Sequence, residues 1–170
     1  MIKLFMLVVM VFTLKAIEIG EKPKNIIIQN DDGGYAKDSS AWDSSSIKDK
    51  VYVMFYVDPD EKDTNEHFVQ ALKAKKYDRS NYGSIAMINL AATWKPNFVI
   101  ESILKSKQEE FPHTIYVKDK SSVLVKEWKV DDDASNVLLF SKDSELLFYK
   151  SGKMDEDDMQ KIFELIEANL

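Results

Sequence analysis

Seven consecutive apolar residues, Val51-Tyr52-Val53-Met54-Phe55-Tyr56-Val57, constrain this chain more than any other stretch. The run is short, β-branched and aromatic, and it offers no polar face to water. It is therefore expected as a strand covered on both sides. Such a strand belongs inside a sheet flanked by further layers, which directs the chain to an α/β architecture. Asp58-Pro59-Asp60 stops the run. Asp63-Thr64-Asn65-Glu66 then has capping-box spacing, and Phe68, Ala71, Leu72 and Ala74 supply the buried stripe of a helix. Ser84-Ile85-Ala86-Met87-Ile88-Asn89-Leu90 is the next strand. The intervening helix makes the two strands parallel through a right-handed crossover.

The remaining segments extend this unit. Residues 17–23 read as a lead-in with a turn at Gly20, residues 25–29 as a strand, and Asp31-Asp32-Gly33-Gly34 as a turn. Residues 34–50, rich in Ser, Asp and Lys, read as a surface connection anchored by Trp42. Pro96 suits the first turn of a second helix, with Phe98, Val99, Ile103 and Leu104 on its inner side and residues 105–110 as its solvated end. Phe111-Pro112 ends that helix. Residues 113–117 and 123–125 read as short strands around a turn, and residues 136–140 and 145–149 as a hairpin. Asp155 is placed to cap a last helix whose apolar face is Met159, Ile162, Phe163, Ile166 and Leu170. No internal repeat or domain linker interrupts the pattern, so one domain is expected over residues 17–170.

The start of the chain has a different character. Lys3 precedes an apolar stretch from Leu4 to Leu14 broken only by Thr13, and Lys15-Ala16 follows. The stretch is too short to cross a bilayer and fits the apolar region of a signal peptide, here residues 1–16. Cleavage after Ala16 predicts a periplasmic or secreted protein with no stable membrane span in its mature form. Without Lys3 and Lys15 the 23 basic residues become 21 against 29 acidic ones, a net charge of −8. An acidic surface repels phosphate backbones, so nucleic acid is not an expected partner.

The chain contains no cysteine. Thiol–disulfide exchange and thiol peroxidase chemistry need a thiolate, and neither is available from this chain alone. The absence matters because the order strand, helix, strand, helix, hairpin, helix resembles the thioredoxin fold. Phe111-Pro112-His113-Thr114-Ile115-Tyr116-Val117-Lys118-Asp119, followed by Trp128-Lys129-Val130, is similar to a segment of peroxiredoxin-like members. Phe98-Val99, Ser102-Ile103-Leu104, Phe111-Pro112, Trp128-Lys129-Val130-Asp131 and the run Ser135 to Asp143 resemble the YtfJ family of small exported bacterial proteins. The resemblance implies a periplasmic, thioredoxin-like domain of the peroxiredoxin-like variant: three layers, with a mixed central sheet and helices on both faces.

In thioredoxin-like redox proteins the loop after the central strand holds the reactive cysteine, and an opposing loop carries a proline. The matching positions here are Asp58, Asp60, Glu61 and Asp63 on one side and Ala134, Ser135 and Asn136 on the other. Carboxylates replace sulfur, and the proline is missing. These residues are expected to form a vestigial site or a surface for an envelope protein or peptide. The alternative is a carboxylate- or metal-dependent enzyme. Asp58, Asp60, Asp131 and Asp133 offer hard oxygen ligands, but their spacing lacks the glycine and terminal glutamate of an EF-hand loop, so capping and a solvated turn fit better. His67 and His113 stand in no HExxH pattern, and there is no GxSxG, GxxxxGK[ST] or GxGxxG. No cofactor is expected.

Overall fold

The structure, a computed structural model, describes residues 16–170; of the expected leader, residues 1–15 lie outside the described residues. In chain order the strands are β1 (Ile27–Ile28), β2 (Gly33–Tyr35), β3 (Trp42–Asp43), β4 (Val51–Val57), β5 (Tyr82–Asn89), β6 (Ile115–Asp119), β7 (Ser135–Phe140) and β8 (Leu146–Ser151). The helices are α1 (Glu66–Lys75), α2 (Asn97–Glu110), α3 (Val123–Trp128) and α4 (Glu156–Asn169). The apolar run is β4, and its place explains its composition. It lies inside a six-stranded sheet of order β2-β6-β5-β4-β7-β8. On one edge it runs parallel to β5, from Val51 opposite Tyr82 to Val57 opposite Ile88. On the other it runs antiparallel to β7, from Tyr52 opposite Phe140 to Val57 opposite Ser135.

Alternation along the strands sorts side chains onto two faces. Tyr52, Met54, Tyr56, Ile85, Met87, Val117, Leu138 and Phe140 point one way and pack with Ile26, Ile28, Trp42, Leu124 and Trp128. This face is closed by the N-terminal segment and α3. Val51, Val53, Val137 and Leu139 point the other way and pack with Phe68 and Leu72 of α1 and Ile162 and Ile166 of α4. The steps β4–α1–β5 and β5–α2–β6 shift in the same direction, so α2 shares the face of α1 and α4. The result is the expected three-layer mixed sheet with helices on both sides. Asp155 caps α4 as expected: its carboxylate accepts the Asp158 N–H (2.8 Å), and Asp158 accepts the Asp155 N–H (3.2 Å).

Four local expectations are corrected. Gly33–Tyr35 is not only a turn: it is the edge strand β2, antiparallel to β6. Gly33 has φ +122°, and a Cβ there would lie 1.9 Å from the Lys118 carbonyl oxygen, so the pairing needs glycine. Residues 123–125 are helix α3, not a strand. The Asp119 carboxylate accepts the N–H groups of Ser121 (3.1 Å) and Leu124 (3.2 Å) at the start of α3, and helical spacing buries Leu124 and Trp128 together. Tertiary packing overrides the β-branched composition there. The capping box at 63–66 does not form. Backbone turns, with Glu61 N–H on Asp58 O and Thr64 N–H on Glu61 O, carry the chain further before α1 begins, so Asn65 occupies the cap position. Finally, α2 buries Ile100 and Leu104 and turns Phe98 outward, 75% exposed.

Candidate functional site

The two loops that sequence reading set opposite each other meet at the C-terminal end of β4. Val57 pairs with Ser135, and the Asp58 N–H donates to the Ala134 carbonyl (3.0 Å). The junction is sewn together by Asn65, which is 2% exposed. Its amide donates to Ser135 Oγ (3.0 Å) and to the Gly152 carbonyl (2.9 Å), and its carbonyl accepts the Met154 N–H (2.8 Å). One side chain thus ties the start of α1 to the start of β7 and to the segment between β8 and α4. Asn136 plays a similar part from β7: it donates to the carbonyls of Tyr56 (3.2 Å) and Asp131 (2.9 Å) and accepts from the Tyr149 hydroxyl (2.9 Å). Both amides are buried and satisfied, which is the condition for a polar group to stabilise an interior.

Asp58 is only 4% exposed. One carboxylate oxygen accepts the Asp60 N–H (2.7 Å), which closes a tight turn at the end of β4. Burial pushes the Asp58 carboxyl above its ordinary range, and the nearby Asp133 charge adds to the effect, while Lys95 acts against it. Asp60 turns away from this junction. It accepts from the Thr93 hydroxyl (3.1 Å) and forms an ion pair with Lys95. The acidic loop is therefore fastened to the segment that leads into α2. Glu61 accepts from the Thr64 hydroxyl, and Asp63 pairs with Lys62. In the opposing loop Asp132 accepts from the Asn89 amide (2.7 Å), and the Asn89 carbonyl oxygen accepts from the Ser122 hydroxyl (2.9 Å).

The structure thus brings together Asp58, Ala134, Ser135 and Asn136, places Glu61 near Asp58, turns the Asp60 carboxylate to Thr93 and Lys95, and leaves Asp63 on the outside. Among the described residues no three His, Cys, Asp or Glu side chains form a group able to hold an ion, and this includes Asp58, Asp60, Asp131 and Asp133. Asp60 is taken up by Lys95 and Thr93. Neither histidine supplies a base to this junction: His67 bonds the Met154 carbonyl (2.9 Å), and His113 stands exposed just before β6.

Sequence reading missed Asn65, which it treated as a position inside a capping box, and missed the link from Asp60 to Thr93 and Lys95. Asn65 had a weak signal: a lone amide directly before an apolar stripe, where the chain enters a helix. The Lys95 contact had none, because it joins segments with no periodic relation. That link matters for the surface. Trp94, between the two residues that hold Asp60, is 87% exposed, and Phe98 follows it on the outer side of α2. Two large aromatic side chains thus stand free beside an acidic turn.

The chain resembles known proteins in both sequence and fold. It is 23% identical to the uncharacterized protein YtfJ of Escherichia coli over 132 residues, 76% of this chain and 72% of that one. It is 26% identical to an uncharacterized protein of Haemophilus influenzae over 131 residues, 75% of this chain and 71% of that one. A crystal structure of a thioredoxin-like superfamily protein superposes with a TM-score of 0.65 at 12% identity, covering 87% of this chain and 95% of the other, a likeness of fold. A family model matches residues 12–169, nearly the whole length, and the chain belongs to that family, described as bacterial protein of unknown function YtfJ_HI0045.

Proposed function

We propose that this protein is an exported, non-catalytic binding module that works without thiol redox chemistry. Its contact surface is the sheet end where Asp60, Glu61, Asp63 and Ala134 lie over the buried Asp58, Ser135 and Asn136, with Trp94 and Phe98 at its side. The observation that carries the reading is the exposed Trp94, set between Thr93 and Lys95, the two residues that contact Asp60 of the acidic turn, with the exposed Phe98 following it. Exposed aromatic side chains on a fixed support are frequent anchors of protein and peptide partners. The buried polar residues of the junction are satisfied within the protein, so the junction is a self-contained support for a surface.

Export is supported by the charged and apolar start of the chain. The residues just after Ala16 support it as well: the Ile17 N–H already bonds the Trp128 carbonyl (3.1 Å), and the Gly20 N–H bonds the Leu146 carbonyl (2.7 Å). Cleavage after Ala16 would release a domain whose first residues are built into it. The partner expected is an envelope protein or peptide.

The test compares partner capture from an envelope fraction by the parent protein and by two variants, Asp60→Ala/Glu61→Ala and Trp94→Ala/Phe98→Ala. The expected result is a reproducible partner that binds the purified parent directly and binds both folded variants at least about tenfold more weakly. A partner bound equally by all three proteins, or no partner under any condition, defeats the proposal. Cell fractionation checks export, and insulin reduction by the purified protein should not rise above background.

A further inference from the structure

A polar bridge joins α1 to α2. Lys107 of α2 pairs with Glu66 of α1 (2.8 Å), and Gln70 bridges Glu66 (2.6 Å) and Glu110 (2.9 Å). Below this polar bridge the strands present small side chains. Ser84 and Ala86 of β5 face α2, and the Ser84 hydroxyl is already bonded to the Thr114 hydroxyl (2.9 Å). The space left over is a cavity of about 180 Å³, walled by Phe55, Val69, Leu72, Ala86, Ile100 and Leu104. A dry apolar cavity of roughly 150 Å³ is enough to hold a benzene ring.

One end of this cavity is chemically incomplete. Tyr82 lines it, is 4% exposed, and its hydroxyl is buried with no hydrogen-bond partner. A buried polar atom left unpaired costs about 1–3 kcal/mol. Burial holds the Tyr82 hydroxyl well above its ordinary pKa, so it stays protonated and remains a donor. Arg79, also on the lining, sets its guanidinium carbon 5.5 Å from the Tyr82 ring centroid, and among the described residues it has no carboxylate partner. The other cations on the lining are already engaged: Lys62 with Asp63, Lys73 with Glu110, and Lys107 with Glu66 and Glu110.

We propose that this cavity binds a small apolar carboxylate: an alkyl or aryl group of about six to eight carbons lies over Ala86, and its head group takes the Tyr82 hydroxyl and the Arg79 guanidinium. The planar fork of Arg79 matches a carboxylate, and the hydroxyl supplies the donor that finds no partner within the protein. A cationic or neutral head of the same size satisfies only part of this arrangement. The site is separate from the partner surface proposed above, and the two stand or fall independently.

The experiment titrates the full chain with sodium octanoate, 1-octanol and octylamine, followed by calorimetry and by amide chemical shifts. Octanoate is expected to saturate, with shifts concentrated in α1, α2 and β5. Octanol should bind at least about tenfold more weakly, and octylamine more weakly still. Tyr82→Phe removes a hydroxyl that has no partner, so the variant should melt no lower than the parent while losing about tenfold in octanoate affinity. Arg79→Gln should show a similar loss, with octanol binding unaffected by that substitution. Ala86→Leu should abolish binding of both by filling the space. Absence of octanoate binding at millimolar concentration, equal affinity for the three probes, or undiminished binding by Tyr82→Phe and Arg79→Gln would each overturn the proposal.

Discussion

The face of the sheet that buries two tryptophans and the face that carries α2 share the same strands, yet they are filled to different degrees. On the first, Tyr56, Ile85, Met87 and Val117 are essentially inaccessible beneath Trp42, Leu124 and Trp128. On the second, the neighbours of those residues along the same strands, Phe55, Val57, Ala86 and Ile88, are only half-buried and border a cavity. The chain that covers the first face consists of large apolar side chains on short segments, free to settle into the gaps. The chain that covers the second is a helix bridged to α1 by charged and polar side chains and standing over serine and alanine. Packing density is thus a property of each pairing of element and strand, and one sheet can carry a rigid core on one side and a receptive space on the other.

The largest expected effect tests this difference directly. Trp128→Ala should cost about 3–5 kcal/mol, because the ring is 1% exposed, packs 5.9 Å from Phe140, and donates its N–H to the Lys24 carbonyl (2.8 Å). Ile103→Ala, on the cavity wall, should cost only about 1 kcal/mol. Urea unfolding measures both, and equal losses would break the comparison. Asn65→Ala comes next, at about 1–3 kcal/mol, since it strands the Met154 N–H and the Gly152 carbonyl at the junction of the loops. Amide exchange should show the loss concentrated at the start of β7 and at Met154. A third pair of variants adds volume. Val117→Phe on the dense face should destabilise by about 1–3 kcal/mol, whereas Ala86→Leu over the cavity should be neutral or gain about 0.5–1 kcal/mol.

The smallest effect concerns pH. Folding raises the Asp58 pKa, so the adverse contribution is absent below the ordinary Asp range near 3.9 and appears as pH rises through the folded value. Asp58→Asn keeps an oxygen to accept the Asp60 N–H and removes the charge. Its stability advantage over the parent should therefore vanish in acid and grow toward neutral pH. Paired urea titrations from acid to neutral pH measure the difference, and an advantage that shrinks with rising pH would contradict the geometry.

Much of this could be read from residues alone, for identifiable reasons. The hairpin β7–β8, the strand β4 and the cap at Asp155 each rest on contacts close in sequence or on an unbroken apolar pattern, where local preference and final environment agree. Residues 123–125 misled because three β-branched or apolar residues satisfy either period, and only the Asp119 carboxylate and the burial of Trp128 decide for a helix. Gly33–Tyr35 misled because two glycines beside two aspartates signal a turn, whereas the close approach of Lys118 is visible only once β6 lies alongside. At the site, the meeting of residues 57–58 with residues 134–136 followed from the order of elements. The role of Asn65 did not, because its partners Ser135, Gly152 and Met154 lie far along the chain.

By itself the sequence determined the layer order, the direction of the central strands and the absence of a sulfur nucleophile, since each depends on residue type and periodicity. Only the tertiary structure decided which acids are paired, which aromatics stand free and where the sheet is left uncovered. Those outcomes depend on distances between segments that no pattern along the chain encodes: Asp60 meets Lys95, Phe98 turns to solvent, and the Tyr82 hydroxyl is buried without a hydrogen-bond partner.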